Sequence, residues 1–277
     1  MVLFEAILLG IVQGFTEFLP VSSSAHLILI PWMFGWQGTL VDSLNFDVAL
    51  HAGTLVAILA YFWLDWLDLF RKFFTGLGDG TWKTGEGKFV WFIVLATIPA
   101  GILGLKFEHI VEQYFRNPKL IVISLVVISV LMWAVDRFSA KTANMERMTL
   151  GHALFIGCAQ ALALMPGVSR SGITISAGMA LKLKREAAAK FSFMLSAPII
   201  AGAGLKSLWD LFHQFKAGTL ASSELMLFPI GVFFAAVTGF FCIQYLLRYL
   251  QKNSTRVFVY YRWGLAILIV VVALLRG

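Results

Sequence analysis

Two segments of this chain share an unusual pattern, in which a long apolar run is interrupted by a proline and a serine cluster. The segments cover residues 10–26 and 157–172, and each starts with Gly-x-x-Gln before its break. Proline opposes helix continuation, so each segment predicts two short helices joined by a polar break. Repeated broken helices are typical of membrane proteins that build a site near the bilayer midplane. The two breaks read Pro20-Val-Ser-Ser-Ser-Ala-His26 and Pro166-Gly-Val-Ser-Arg-Ser-Gly172.

The composition indicates the class of protein. Of the 277 residues, 59% are hydrophobic and only 13% are charged, and the mean hydropathy is +0.83. A soluble domain of this size normally carries about 25% charged residues. We therefore predict a polytopic helical membrane protein that forms one domain, residues 1–277. The net charge of +7 requires no nucleic-acid partner, because cytoplasmic loops of membrane proteins are rich in Lys and Arg.

The apolar runs predict six full transmembrane helices, since a span needs about 20 apolar residues. Residues 2–34 and 150–181 are too long for one span and too short for two. We interpret them as re-entrant helical hairpins, each entering and leaving on one side of the membrane. The predicted fold class is an all-α polytopic membrane protein. Its spans are predicted at roughly 46–64, 88–106, 119–136, 190–209, 225–248 and 257–276.

The repeated pattern predicts an inverted-topology repeat of residues 1–136 and 150–277. Each half has one hairpin and three spans, and an odd number of spans inverts one half relative to the other. The hairpin tips then enter from opposite faces and meet in the interior. Basic residues concentrate in the loops that face one side, which the positive-inside rule assigns to the cytoplasm. Both termini, and the opening of the first hairpin, are then predicted to be external. The basic loops are residues 65–88, 136–150, 182–190 and 248–256.

The first break carries residues suited to acid–base and nucleophilic chemistry. Gln13 and Glu17 are four residues apart on one helix face, where they can hold one cation or orient one water. Ser23 and His26 are three residues apart, and a hydroxyl beside an imidazole is the minimum of an activated nucleophile. Glu17 is a candidate to orient the imidazole of His26. His51, in the first full span, is interpreted as a hydrogen-bonded structural residue.

The second break carries residues suited to binding an anion. Arg170 presents a rigid fork of donors that matches phosphate oxygens. The helix that follows each serine cluster begins with free backbone N–H groups, which favour an anion at the helix N-terminus. Thr174 lies in the first turn of the second such helix, predicted to begin near Gly172. The two tips together predict a site for a phosphate or pyrophosphate group inside a membrane protein.

At these residues the chain resembles the undecaprenyl-diphosphate phosphatase family, also called the bacitracin-resistance protein family. The resemblance covers essentially the whole chain and includes the late Tyr261-Arg262 pair. Its motifs stand here as Gln13-Gly-Phe-Thr-Glu17, Pro20-Val-Ser-Ser-Ser-Ala-His26 and Pro166-Gly-Val-Ser-Arg-Ser-Gly-Ile-Thr174.

The resemblance implies a multi-pass phosphatase of the bacterial inner membrane. It would remove the terminal phosphate of the membrane lipid undecaprenyl diphosphate and recycle the lipid carrier for peptidoglycan synthesis, with consequences for cell shape and bacitracin resistance. It also implies help from a divalent cation, Mg²⁺ or Ca²⁺, held by Glu17 and Gln13, although Gln13 replaces a carboxylate with an amide. The implied catalytic residues are Glu17, Ser23, His26 and Arg170. The implied substrate-binding residues are Gln13, Ser22, Ser24, Gly167, Ser169, Ser171, Thr174 and Arg262.

Several alternatives stay open at this point. The nucleophile is Ser23 or His26. Arg262 either binds substrate or snorkels to the membrane surface. Inverted repeats with broken helices are also typical of transporters, so a lipid-phosphate carrier or flippase using the same site is the competing function. The sequence leaves the metal, the prenyl chain length and the oligomeric state open, and a homodimer is one state that it allows.

Overall fold

The computed structural model describes residues 2–36, 40–79, 87–216 and 226–276. Six helical stretches in these ranges are long and apolar enough to cross a membrane: Leu44–Tyr61, Lys88–Phe107, Pro118–Phe138, Arg185–Lys206, Leu227–Lys252 and Arg256–Arg276. The prediction of an all-α multi-pass membrane protein with six spans is therefore confirmed. The helices are α1 Val2–Phe18, α2 Ser23–Phe34, α3 Leu44–Tyr61, α4 Trp63–Asp79, α5 Lys88–Ile110, α6 Pro118–Phe138, α7 Leu150–Ala161, α8 Arg170–Ala180, α9 Arg185–Lys216, α10 Leu227–Lys252 and α11 Arg256–Arg276.

The two predicted breaks are present, between α1 and α2 and between α7 and α8. A serine at each break has the same left-handed backbone, with φ 77° at Ser22 and φ 72° at Ser169. Each serine caps the helix that follows: Ser22 Oγ accepts from the backbone N–H of Ala25, and Ser169 Oγ accepts from that of Gly172. The helix α8 therefore begins at Arg170, earlier than the predicted start near Gly172.

A positive φ at a residue other than glycine is uncommon and persists where the surrounding structure determines it. The same unusual conformation at corresponding places in the two breaks shows that the repeated sequence pattern forms a repeated backbone. In both breaks the serine hydroxyl also lies next to the hydroxyl two residues later, at 3.2 Å for Ser22 and Ser24 and at 3.3 Å for Ser169 and Ser171. Whether the hairpins are re-entrant, and the halves inverted, stays a prediction.

The glycine of each Gly-x-x-Gln motif allows close contact between helices. A Cβ atom at Gly10 of α1 would lie 2.5 Å from the carbonyl oxygen of Gly231 on α10. A Cβ atom at Gly157 of α7 would lie 2.2 Å from the carbonyl oxygen of Ala96 on α5. Small residues at such crossings let helix backbones pack directly against each other in membrane proteins. The motif glycines thus fix where α1 and α7 lie, and with them the two breaks.

The breaks meet inside the bundle. Ser171 Oγ donates to the carbonyl oxygen of Leu19 at 3.1 Å, so α8 starts against the end of α1. Beside this contact the Phe18 ring packs edge-on against Phe193 of α9, with 5.3 Å between ring centroids. Both phenylalanines are fully buried in the largest hydrophobic cluster. The fold therefore brings the polar ends of two short helices together within an apolar core.

Candidate active site between the two helix breaks

Glu17, at the end of α1, is the centre of the site and is buried. Its Oε1 atom accepts from Nη2 of Arg170 at 2.8 Å. Its Oε2 atom accepts from Ser23 Oγ at 2.6 Å and from Gln13 Nε2 at 3.1 Å, and it lies 3.3 Å from His51 Nε2. The meeting of the two tips expected from the sequence thus brings the carboxylate of the first break against the guanidinium of the second. One carboxylate thus contacts a hydroxyl, an amide, an imidazole and a guanidinium.

Arg170 is held by α9 as well as by Glu17. Its Nη1 donates to the carbonyl oxygen of Ser192 at 3.1 Å. Thr174 lies next to it, because its hydroxyl donates to the Arg170 carbonyl oxygen at 2.7 Å and lies 2.6 Å from Ser192 Oγ. Ser192 had no sequence signal, because it lies in an apolar span without a motif. A guanidinium has five N–H donors, so Arg170 keeps donors for a further anion.

The histidine beside Glu17 differs from the one expected. Glu17 was a candidate to orient His26, but the structure places His51 of α3 against it. The Nδ1 atom of His51 lies 2.7 Å from the carbonyl oxygen of Asp47, one turn earlier in α3. The interpretation of His51 as a hydrogen-bonded residue of the first full span agrees with these contacts, and the structure adds that it lies beside Glu17. A histidine four residues after an aspartate in an apolar span was the only sequence signal for it.

His26 has its own partners at the start of α2. Its Nδ1 atom lies 2.7 Å from the carbonyl oxygen of Ser22, and its Nε2 atom lies 2.8 Å from the hydroxyl of Tyr261 on α11. The rings of His26 and Tyr261 are stacked, with centroids 5.7 Å apart. Both ring nitrogens are thus engaged away from Ser23 and Glu17. The expected pairing of the Ser23 hydroxyl with the His26 imidazole is not formed; Ser23 donates to Glu17 instead.

Arg262 of α11 is fully buried, so the alternative of snorkelling to the membrane surface is wrong. Its Nη2 donates to the carbonyl oxygen of Gly167 at 2.8 Å, and its Nη1 lies 3.5 Å from that of Pro20. Its Nε donates to Ser129 Oγ at 2.8 Å. The guanidinium therefore links both breaks to α6. Its donors point to protein acceptors, and a direct contact with substrate stays a prediction.

The remaining predicted substrate-binding residues lie at the two breaks. Ser22, Ser169 and Ser171 are almost completely buried and are held by the capping and inter-break bonds described above. Ser24 is half-buried beside Ser22. Gly167 has φ 91°, and a Cβ atom there would lie 2.8 Å from the carbonyl oxygen of Ile121, so only glycine fits this turn. The structure brings the predicted set together around the meeting of the breaks.

The site offers a small number of metal ligands. The described residues contain no group of three or more His, Cys, Asp or Glu side chains placed to hold a metal ion. The Oε1 atom of Gln13 is buried and has no hydrogen-bond partner, and the amide lies against Glu17. Mg²⁺ is commonly bound through one or two carboxylates, with substrate phosphates and water completing its coordination. Glu17 and Gln13 fit such a partial site.

Taken together, the fold and site define a polytopic membrane protein with a buried polar site between two helix breaks. The site combines an arginine with free donors, two helix N-termini and a serine hydroxyl bound to a carboxylate. The chain belongs to the family described as bacitracin resistance protein BacA, whose family model matches residues 6–268.

Curated relatives match over nearly the full chain. The chain is 46% identical to the undecaprenyl-diphosphatase of Thermodesulfovibrio yellowstonii over 275 residues, 99% of each chain. It is 48% identical to the undecaprenyl-diphosphatase of Caldicellulosiruptor bescii over 278 residues, 100% of each chain. It is 41% identical to that of Thermomicrobium roseum over 281 residues, 97% of each chain.

Proposed function

We propose that the protein hydrolyses undecaprenyl diphosphate to undecaprenyl phosphate and inorganic phosphate, which recycles the lipid carrier used in peptidoglycan synthesis. Its membership of the bacitracin resistance protein family and its full-length undecaprenyl-diphosphatase relatives support this function. The observation that carries the proposal is the contact of Glu17 with both Ser23 and Arg170. A nucleophile, a base and a phosphate-binding cation thereby meet in one buried place.

In the proposed reaction, Ser23 Oγ attacks the terminal phosphorus of the diphosphate. The Ser23 proton passes to Glu17 Oε2, 2.6 Å away, as the new O–P bond forms. The bond from that phosphorus to the bridging oxygen breaks, and undecaprenyl phosphate leaves with the electron pair of that bond. Water then attacks the phosphoserine, and the protonated Glu17 returns its proton to Ser23 as phosphate leaves. Glu17, rather than His26, is the base because it is the group that the Ser23 hydroxyl contacts.

Arg170 and the helix termini provide electrostatic stabilisation. Phosphoryl transfer is accelerated mainly by positioning and by stabilising charge on the phosphoryl oxygens. Arg170 is fixed by Glu17 and the Ser192 carbonyl and presents its remaining donors. The helix α8 begins at Arg170, so the backbone N–H groups of its first turn also favour binding of the phosphoryl group. His26, which is hydrogen-bonded to Tyr261, is proposed to lie near the phosphate at the start of α2.

A divalent cation, Mg²⁺ or Ca²⁺, is proposed to bind with Glu17 and Gln13 as protein ligands. When bound, such a cation neutralises charge on phosphate oxygens and orients the diphosphate. Both side chains are buried, so the protein ligands lie inside the bundle. The residues of the chain itself still provide the attacking hydroxyl, its base and the guanidinium.

We further propose an inner-membrane location with both termini external and a site that opens to the external side. Its support is the arrangement of the basic loops. Arg185 pairs with Asp136 at 2.6 Å, and Lys190 pairs with Asp65 at 2.5 Å. These pairs connect three of the predicted cytoplasmic loops to one end of the bundle. A homodimer stays a prediction.

The test is phosphate release from purified protein in maltoside detergent, with C15 and C55 prenyl diphosphates and with or without EDTA. We expect release from the C55 substrate, loss with EDTA and recovery with Mg²⁺. The variant Glu17→Gln, which keeps the size of the side chain, is expected to lose at least about 100-fold in kcat/KM, the scale of general-base loss. Folded protein that releases no phosphate under any of these conditions contradicts hydrolysis and leaves the carrier function, which requires a sealed membrane.

A further inference from the structure

We propose that His51 is a ligand of the divalent cation, together with Glu17 and Gln13, and that this nitrogen ligand shifts metal preference towards Mn²⁺ and away from Ca²⁺. The inference deepens the proposed function, because it concerns the same diphosphate site. It assigns a role to a residue of α3 that lies outside both helix breaks.

The hydrogen bonding of His51 leaves its Nε2 atom, the nitrogen that faces Glu17, available to bind a metal ion. Nδ1 lies 2.7 Å from the carbonyl oxygen of Asp47, which can only accept, so Nδ1 carries a proton. In neutral imidazole Nε2 then has a free lone pair. Metal-binding histidines almost always donate their other N–H to a carbonyl or carboxylate in this way. The Asp47 carbonyl fixes the ring so that Nε2 points at Glu17.

The distance between His51 and Glu17 fits two neighbouring ligands of one ion. Nε2 and Oε2 are 3.3 Å apart, longer than a typical N–H···O hydrogen bond of about 2.9 Å. Metal–ligand distances of about 2.1–2.3 Å at right angles imply about 3.0–3.3 Å between adjacent ligand atoms. The carboxylate oxygen retains lone pairs for the ion while it accepts from Ser23.

Gln13 supplies an independent indication of a ligand. It is fully buried, yet its Oε1 has no hydrogen-bond partner, while its Nε2 lies 3.1 Å from Glu17 Oε2. A buried polar atom without a partner calls for an explanation such as an ion. Turning the amide by half a rotation exchanges Oε1 and Nε2, which are nearly isosteric. Oε1 would then face Oε2 of Glu17, the atom that His51 Nε2 also approaches, and a cation would relieve the repulsion between two such acceptors.

The charge and chemistry of the three proposed ligands, Glu17, Gln13 and His51, determine which metal ion they prefer. Glu17 supplies the negative charge of the set, since an amide and a neutral imidazole add none. The two phosphates of the substrate must supply the remaining negative charge, so a bound diphosphate should strengthen cation binding. Oxygen ligands suit Mg²⁺, Ca²⁺ and Mn²⁺ alike, whereas imidazole suits transition metals. Among these ions Mn²⁺ accepts both ligand types, and Ca²⁺ gains least from a nitrogen.

The experiment is pulsed electron paramagnetic resonance of Mn²⁺ bound to the full-length protein in maltoside, with methylenediphosphonate as a non-hydrolysable diphosphate. We expect a ¹⁴N coupling from a directly bound imidazole. His51→Gln, which offers an amide oxygen, should lose this coupling and bind Mn²⁺ at least about tenfold more weakly, while its Ca²⁺ affinity changes less than threefold. His26→Gln is the matched control, because it removes the other imidazole of the site and should retain the coupling.

Three results overturn the inference. The ¹⁴N coupling persists in His51→Gln, the wild-type protein binds Mn²⁺ without such coupling, or the wild-type protein fails to bind Mn²⁺. Thermal unfolding and gel filtration establish that the variants are folded, and His51→Asn provides a second substitution if His51→Gln is not. Phosphate release measured separately with Mg²⁺ distinguishes failure of the His51 proposal from failure of the proposed phosphatase function. Release without ¹⁴N coupling rejects the His51 ligand and keeps the phosphatase, and absence of release with every cation rejects the phosphatase.

Discussion

Glu17 and Arg170 form an ion pair of 2.8 Å, although 153 positions separate them in the chain. Each residue belongs to a different helix break. The ion pair therefore holds the two breaks together and places the Arg170 guanidinium near Ser23. Burying an ion pair is costly unless further hydrogen bonds satisfy its atoms. Here Gln13 and Ser23 bond the carboxylate and the Ser192 carbonyl bonds the guanidinium.

Replacing Arg170 by Lys should greatly reduce catalysis, because a single ammonium cannot bond Glu17, the Ser192 carbonyl and a phosphate together. We expect kcat/KM for phosphate release to fall by about 100-fold to 1,000-fold, the scale for loss of a charge-stabilising donor. Steady-state assays of Arg170→Lys measure this effect. Thr174→Ser, which keeps the neighbouring hydroxyl, is the matched control. Activity of Arg170→Lys within about threefold of wild type would exclude the proposed phosphate contact.

Replacing Ser23 by Ala should abolish a covalent phospho-enzyme. Substrate labelled at its terminal phosphate, mixed with enzyme and quenched in acid, should label the wild type transiently and leave Ser23→Ala unlabelled. Ser24→Ala, which removes the adjacent hydroxyl, should still be labelled. Label that survives in Ser23→Ala and disappears in His26→Gln would instead identify His26 as the nucleophile.

Gly157→Ala should destabilise the protein, because its Cβ atom would meet the Ala96 carbonyl oxygen at 2.2 Å. Overpacking of this kind costs about 1–3 kcal/mol. The matched control is Gly264→Ala in α11, where a new Cβ atom meets nothing within 4 Å. That substitution should stabilise its helix by up to about 1 kcal/mol. Thermal unfolding in detergent compares the two, and equal melting temperatures would contradict the close contact of α7 with α5.

Arg262→Met should destabilise the protein more than any surface arginine replacement. It leaves buried acceptors, including the Gly167 carbonyl and Ser129, without their donor. The expected loss is about 3 kcal/mol or more, as for other broken buried networks. Arg276→Met is the control, since exposed Arg276 also donates to backbone carbonyls, those of Trp32 and Met33. Similar melting temperatures for both variants would mean that Arg262 does not hold the breaks.

Much of the architecture could be predicted because lipid imposes simple rules on sequence. Charge-free runs of sufficient length gave the six spans, and the proline and serine clusters gave both breaks. The ionisable residues of both breaks marked the candidate site, because isolated charges are costly in apolar surroundings. These inferences use only local composition and solvation, so they did not require knowledge of how the helices pack.

The partners of His26 and His51 could not be predicted, since they depend on packing between helices distant in sequence. His26 is close to Glu17 along the chain, yet α2 turns its ring towards Tyr261 of α11. His51 is far from the break, yet α3 brings it within 3.3 Å of Glu17. The left-handed backbone of Ser22 and Ser169 also had no sequence signal, because serine rarely adopts it.

Ser23 and Arg170 each directly follow the left-handed serine of their own break, so equivalent positions of two similar backbones hold different chemistry. If both positions carried arginine, two like charges would repel where the breaks touch; if both carried serine, no cation would balance the carboxylate. The duplicated architecture is productive only because its copies have diverged here. Sequence drift that made the two ends alike would leave the bundle recognisable and its chemistry lost.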